Sequence, residues 1–208
     1  MRSLIPGILA MAAIVVASNI LVQYLFGQWL TYGAFTYPFA FLVTDLTNRF
    51  QGAAAARKVV LVGFVVGLIC SLIGSQIMGE FGPLVTLRVA MGSGLAFLCA
   101  QLLDISVFNR FRDASWWKAP FVSTLVGASL DSAVFFTIAF AGFLSFLEPA
   151  NDVSWAAEAL PLIGLPFAPV APLWVSLATA DWLVKLSLAV IALIPFRLIV
   201  SNFTKRVA

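Results

Sequence analysis

The 208-residue chain contains no histidine. That absence removes the usual zinc ligands, the serine–histidine and cysteine–histidine nucleophile pairs and the histidine-based intramembrane protease dyad. Charge is scarce as well: Asp, Glu, Lys and Arg make up 10% of the sequence, against about 25% in an ordinary soluble domain. The only cysteines, Cys70 and Cys99, each sit within an apolar stretch without CxxC spacing. There a cysteine behaves as a small hydrophobe, and no disulfide is expected. No phosphate-binding glycine loop is present, so ATP hydrolysis on this chain is not expected. Basic residues form neither a patch nor a tail despite the net charge of +3, which argues against nucleic acid as a partner.

What is present is apolar. Hydrophobic residues account for 62% of the chain and the mean hydropathy is +1.05, where a soluble domain is about 45–50% apolar. A soluble fold is excluded, and membrane lipid is the expected surrounding. One helix needs about 20 apolar residues to cross the hydrocarbon. Apolar runs bounded by charge or by Gly/Pro clusters then predict an all-α integral membrane protein with six transmembrane helices, at about 4–26, 30–50, 59–78, 85–108, 119–146 and 173–194. They form one transmembrane domain over 1–208. The first run is too long for a signal-peptide core and carries Asn19 and Gln23, so it is read as a retained span. The second is polar by membrane standards, with Thr31, Tyr32, Thr36, Tyr37, Pro38, Thr44, Asp45, Thr47 and Asn48.

Basic residues near span ends are retained on the cytoplasmic side. Arg2, then Arg49, Arg57 and Lys58, then Arg110, Arg112 and Lys118, then Arg197, Lys205 and Arg206 all fall on one side of the six-span scheme. The opposite connections, 27–29, 79–84 and 147–172, carry only acidic charges: Glu80, Glu148, Asp152 and Glu158. Both termini are therefore expected in the cytoplasm of a multi-pass bacterial inner-membrane protein. The connection 147–172 holds Pro149, Pro161, Pro166, Pro169, Pro172 and Trp155. It cannot run as one helix, and either lies along the outer interface or dips partly into the membrane, or else forms a loose periplasmic loop. Asp45-Leu-Thr-Asn48-Arg49-Phe50 is faintly echoed by Asp104 followed by Asn109-Arg110-Phe111, a likeness that chance can also produce.

Polar side chains in the spans carry the functional signal, because a charge at the bilayer centre costs at least about 2.5–3.5 kcal/mol. Asp131 lies near the middle of the fifth span, with Thr124 and Gly127 on the same helical face. Asp181 and Lys185 are four apart in the last span. They form either a self-neutralising ion pair or a group that exchanges partners with a ligand or proton. Gln101 and Asp104 share a face of the fourth span, from which Arg88 points away. Asp45, Asn48 and Arg49 form one stripe, Arg49 serving as a membrane-end anchor or as part of the site. Asn19 and Gln23 form another, as interhelical glue or as ligands. Groups on five spans can converge on one interior. A mixture of carboxylates, amides and aromatics describes a binding cavity better than a pore, which would show rings of one charge. Such a cavity suits a planar nitrogenous ring, held by paired acceptors and aromatic faces.

The chain also resembles a known family. Ser18-Asn19-Ile20-Leu21-Val22-Gln23, Thr31-Tyr32-Gly33-Ala34-Phe35-Thr36-Tyr37-Pro38-Phe39 and Thr44-Asp45-Leu46-Thr47-Asn48-Arg49 resemble the first two spans of the queuosine precursor transporters, the VUT family of vitamin uptake transporters. Arg88-Val89-Ala90, Gln101-Leu102-Leu103-Asp104, Val107-Phe108-Asn109-Arg110, Trp116-Trp117, Ser123-Thr124-Leu125, Asp131-Ser132, Phe135-Phe136, Ile138-Ala139-Phe140 and the Asp181/Lys185 spacing continue the likeness in order. The resemblance implies a six-helix bundle like the substrate-binding component of energy-coupling-factor importers. It further implies import of 7-cyano-7-deazaguanine (preQ0) and 7-aminomethyl-7-deazaguanine (preQ1), small planar 7-deazaguanine ligands salvaged for queuosine in transfer RNA. The implied substrate-binding residues are Asn19, Gln23, Asp45, Asn48, Arg88, Gln101, Asp104, Asp131, Asp181 and Lys185. Asp131 or Asp104 would accept the guanine-type N1 hydrogen and exocyclic amine together, and the amides would serve the carbonyl and ring nitrogens. Asp45 would neutralise an aminomethyl cation or carry a coupling proton, while Asp181 and Lys185 switch partners. The 147–172 connection is longer and richer in proline than the family pattern, and would bear on the substrate if it covers the outer entrance. No catalytic residue, metal or cofactor is expected. A homo-oligomer and an energising partner remain open. The alternative readings are a substrate-binding subunit of an energy-coupling-factor vitamin importer and, from another class, a membrane-embedded enzyme using Asp45, Asp104 and Asp131.

Overall fold

In the computed structural model of the chain, residues 3–80 and 82–205 are described, apart from the side chains of 204 and 205. Arg2 and Arg206, counted above among the basic residues of one side, lie outside them, as does the side chain of Lys205. The architecture is almost wholly helical: α1 (Ile5–Leu21), α2 (Gly33–Thr36), α3 (Phe39–Gln51), α4 (Ala53–Gln76), α5 (Leu87–Arg110), α6 (Lys118–Phe140) and α7 (Leu173–Lys205). Four of these, α4, α5, α6 and α7, are long and apolar enough to cross a membrane. At 17 residues, α1 is shorter, about 26 Å at 1.5 Å per residue.

The polar second run is not one helix. Pro38 has no N–H to give to the turn before it, so α2 and α3 are joined through i→i+3 bonds from Ala40 N to Tyr37 O and from Phe41 N to Pro38 O. This tightened step turns Tyr37 inward. At the other end of α3 the chain reverses direction on one residue, Gly52, with φ +85°. A side chain there would be strained, and this turn sets α3 against α4.

The helix over 119–146 expected from the sequence stops at Phe140, where Ala141 turns extended, and a 3₁₀ segment, Gly142–Leu147, follows. The last helix continues past 194, with Pro195 inside it. The segments that the sequence places on one side do meet: Arg49 Nη1 donates to Arg112 O at 2.9 Å, Gln51 Nε2 to Ser3 O at 3.3 Å, and the Arg197 guanidinium lies over the Trp116 ring.

Among the described residues the opposite end carries three two-stranded antiparallel pairs: β1 (Leu25–Phe26) with β2 (Leu30–Thr31), β3 (Met78–Gly79) with β4 (Gly82–Pro83), and β5 (Ala159–Pro161) with β6 (Val170–Pro172). The proline-rich connection is thus ordered rather than loose. Glu148 folds back so that its carboxylate accepts from Leu87 N and Arg88 N at 3.1 and 3.0 Å, capping the orphan donors of α5.

One core cluster joins Met11 and Val15 of α1, Ala40 of α3, Val59 and Val60 of α4 and Phe97 and Ile105 of α5. A smaller one joins Phe108, Ala119 and Phe196. Large apolar side chains on the outer faces of α1, α4 and α7, among them Leu9, Leu72 and Ile194, are exposed, as a lipid-facing surface requires.

Candidate functional site

The helices form a partly open cavity of about 150 Å³ in the half of the bundle nearer the hairpins. Its wall takes Ser18 and Asn19 from α1, Phe64 and Ser71 from α4, Ser93 and Phe97 from α5, and Phe135 from α6. The polar floor is built by Tyr37, Asp131, Asp181 and Lys185. Small residues make the space: Gly33, Gly63, Gly67, Ala90 and Gly94 all line it. At Gly63 an added Cβ would stand 2.7 Å from Met11 and 3.0 Å from Phe97, so any larger residue forces these apart.

On the floor, one ammonium serves two carboxylates. Lys185 Nζ lies 2.5 Å from Asp131 Oδ2 and 2.5 Å from Asp181 Oδ2, and it also donates to Ser132 Oγ at 3.1 Å. Ser132 Oγ in turn donates to Asp181 Oδ2 at 2.6 Å, and the Tyr37 hydroxyl makes a long hydrogen bond of 3.5 Å to Asp131 Oδ1. All five residues are buried or half-buried. Helical spacing brings Asp181 and Lys185 together, as the sequence suggests, but the bridge to Asp131 on another helix comes only from the packing of α6 on α7. A hydrogen bond from Trp182 Nε1 to Ser129 Oγ at 2.9 Å reinforces that packing. Asp131 Oδ1, held only by the distant tyrosine, is the more available acceptor.

A second polar cluster lies deeper, toward the basic end. Asp45 of α3 accepts from Ser123 Oγ at 3.3 Å and Thr124 Oγ1 at 3.4 Å, both on α6. Asp104 of α5 lies against the same helix: its Cβ is 3.3 Å from where an added Cβ would stand at Gly127 of α6. The two oxygens of Asp104 are fully buried without a satisfied partner among the described residues, and so is Gln101 Nε2. Gln101 Oε1 accepts from Thr44 Oγ1 at 2.6 Å.

The remaining residues singled out from the sequence are placed elsewhere. Asn19 lines the cavity, although its amide donates to Val15 O of its own helix. Gln23 is exposed beyond the end of α1. Asn48 is clasped by Arg112, whose Nη2 donates to both its backbone and side-chain oxygens, and Asn48 Nδ2 reaches Ile105 O. Arg88 is turned away from the cavity: its guanidinium binds the C-terminal carbonyls of α6, Ile138 O at 2.9 Å and Ala141 O at 2.6 Å. Among the described residues no group of three metal-ligating side chains gathers. The sequence reading did not assign roles to Tyr37 or Ser132. A tyrosine just before an intramembrane proline, and a serine beside a buried aspartate, are the signals that mark them.

The sequence model described as "Putative vitamin uptake transporter" matches residues 31–200. The chain is similar to the queuosine precursor transporter of Escherichia coli K12, at 33% identity over 94% of this chain and 85% of that protein. It is also similar to a Haemophilus influenzae protein named "Probable queuosine precursor transporter", at 35% identity over 85% of this chain and 70% of that one. No solved structure matches.

Proposed function

The chain belongs to the queuosine precursor transporter family, also described as the vitamin uptake transporters, whose members are named as transporters and not as enzymes; on that premise we propose that it imports 7-aminomethyl- and 7-cyano-7-deazaguanine across the bacterial inner membrane. The observation that carries this reading is the partly open cavity floored by Asp131, Asp181, Lys185 and Tyr37 and walled by Phe64, Phe97 and Phe135. A void of about 150 Å³ has room for a small ring compound. Aromatic walls take the faces of a planar heterocycle and the carboxylates take its donor edge.

The fit requires a displacement. A guanine-type edge offers an N1 hydrogen and an exocyclic amine side by side and needs both oxygens of one carboxylate. Asp131 Oδ1 is nearly free, while Oδ2 is occupied by Lys185. Lys185 can release Asp131 and remain on Asp181 and Ser132, which already hold it. The incoming base thereby replaces one charged hydrogen bond with two neutral-donor bonds, and the ammonium is never stranded. With both carboxylates ionised the trio carries one negative charge in excess, which suits the aminomethyl form, itself a cation, over the neutral cyano form.

In this reading α1 and the α2–α3 unit complete six crossings with α4, α5, α6 and α7, in the manner of the substrate-binding component of energy-coupling-factor importers. Arg49, Arg57, Arg110, Arg112 and Lys118 then face the cytoplasm, following the retention of basic residues there. The cavity extends to Val22 and Thr31, beside the hairpins that would lie at the outer face. Alternating access carries the base from that side to the other through a second state whose population the ligand shifts.

Calorimetric titration of the purified protein with each deazaguanine, and with guanine as a control, tests the assignment. The expected order is aminomethyl form, then cyano form, then guanine. Absence of heat with both deazaguanines would overturn it.

A further inference from the structure

The Asp45/Asp104 cluster belongs to no part of the binding cavity, yet it is buried, charged and incompletely satisfied. Asp45 is 2% exposed, and Asp104, Gln101 and Ser123 are each 0% exposed. Asp45 accepts from Ser123 and Thr124 of α6, and Asp104 lies beside the same stretch of that helix, its Cβ 3.3 Å from where a Cβ would stand at Gly127. No cation faces them among the described residues. Arg49, one turn beyond Asp45, donates to Arg112 O instead. Arg112 holds Asn48. Lys185 is taken up with Asp131 and Asp181 in the cavity above. On the α7 side, the void beside Asp45 is lined by Ala189, Ala192, Leu193 and Phe196, none of them charged. Two carboxylates beside one stretch of α6 without a counter-charge, at membrane depth, call for a bound positive charge.

Two further observations point to its ligand. Both oxygens of Asp104 are buried without a satisfied partner. A small void of about 10 Å³ touches Asp45 and Thr124, close to the least space that one water or small ion needs. Of the cluster, Asp45 and Thr124 line the void and Asp104 and Ser123 do not; the polar groups of the four, two carboxylates and two hydroxyls, are all oxygens, the set that hard monovalent cations and protons take.

We propose that Asp45, Asp104, Ser123 and Thr124 form a binding site for one monovalent cation, H⁺ or Na⁺, whose movement is coupled to that of the substrate. The coupling element is α6. Ser123 and Thr124 stand seven to eight residues before Asp131 on the same helix, about 11 Å away at 1.5 Å per residue. Gly127, midway between them, packs directly on Phe41 of α3 and on Ala100 O and the Asp104 Cβ of α5. Any shift of α6 that opens the cavity around Asp131 therefore moves Ser123 and Thr124 against Asp45 and Asp104. Filling the site and filling the cavity then favour the same arrangement, the condition for linkage between two sites.

The proposal rests on the importer reading for its substrate, so the test has an arm that needs none. In purified protein without deazaguanine, infrared difference spectra across a pH titration should show a carboxylic-acid carbonyl band that Asp104→Asn abolishes. Failing that, sodium chloride, but not choline chloride, should raise the melting temperature of wild type and not of Asp104→Asn. In liposomes, accumulation of labelled 7-aminomethyl-7-deazaguanine should collapse with a protonophore if the ion is H⁺, or on replacing external Na⁺ if it is Na⁺. Asp104→Asn should bind and exchange the ligand yet fail to concentrate it, and Asp104→Glu should recover part of the accumulation. If Asp104→Asn does not insert, Asp45→Asn stands in for it. A protein that binds no deazaguanine but shows the substrate-free signal would fail the importer reading and keep the cation site. Neither substrate-free signal, or accumulation indifferent to both gradients, would overturn the site.

Discussion

Lys185 Nζ lies 2.5 Å from a carboxylate oxygen of Asp131 and 2.5 Å from one of Asp181, so a single ammonium on α7 holds two anions. The arrangement ties α6 to α7 at the floor of the cavity and leaves one oxygen of Asp131 with no closer contact than a long hydrogen bond from Tyr37.

Removing the shared cation is expected to be far worse than removing one anion. Lys185→Met leaves two buried carboxylates facing each other, and breaking a buried pair costs about 3–5 kcal/mol. Asp181→Asn leaves Lys185 paired with Asp131 and should cost less. Thermal unfolding of the purified variants checks this, and equal losses from the two substitutions would contradict the shared-cation picture.

Asp131→Asn keeps the shape of the side chain but turns one acceptor into a donor facing the donor edge of the base. The loss of a buried charged hydrogen-bond partner is worth at least about 2 kcal/mol, or roughly 30-fold in affinity. Titration calorimetry with 7-aminomethyl-7-deazaguanine reads the change. An inserted variant that binds as tightly as wild type would remove Asp131 from the site.

Arg88 should matter for stability and not for affinity. Its guanidinium satisfies two carbonyls at the end of α6, and an unsatisfied buried group costs about 1–3 kcal/mol. Arg88→Met should therefore lower the melting temperature while the folded fraction binds ligand normally. A loss of affinity without a loss of stability would bring Arg88 back into the binding machinery.

Gly67 offers a way to fill the cavity without breaking the bundle. An added Cβ there meets only Val15, at 3.5 Å, an ordinary contact, and a longer side chain would extend into the space the ligand needs. Gly67→Leu should insert and unfold like wild type while uptake is lost. Uptake at the wild-type rate would place the ligand elsewhere.

The sequence made the helical membrane character legible, because long apolar runs with few charges have no other solution. The family was also legible in the sequence, and the similarity to the queuosine precursor transporters bears that assignment out. The i,i+4 pairing of Asp181 and Lys185 followed from helical spacing alone. What could not be read was anything that depends on which helix neighbours which. The bridge from Lys185 to Asp131, the hydrogen bonds of Asp45 with Ser123 and Thr124 and the capture of Arg88 by the carbonyls of α6 all join residues 50 or more apart. Helix ends were blurred for a local reason. Phe143, Phe146 and Leu147 are as apolar as the helix before them, so hydropathy carries on where the backbone at Ala141 has already turned.

The central claim, import of a 7-deazaguanine, is tested most directly by the queuosine content of transfer RNA. The strain should lack both precursor synthesis and its own importer, carry this gene, and grow with nanomolar 7-cyano- or 7-aminomethyl-7-deazaguanine. Restored queuosine with the wild-type gene, lost again with Asp131→Asn, is the result expected. No restoration while the protein is shown to be inserted in the membrane would contradict the account.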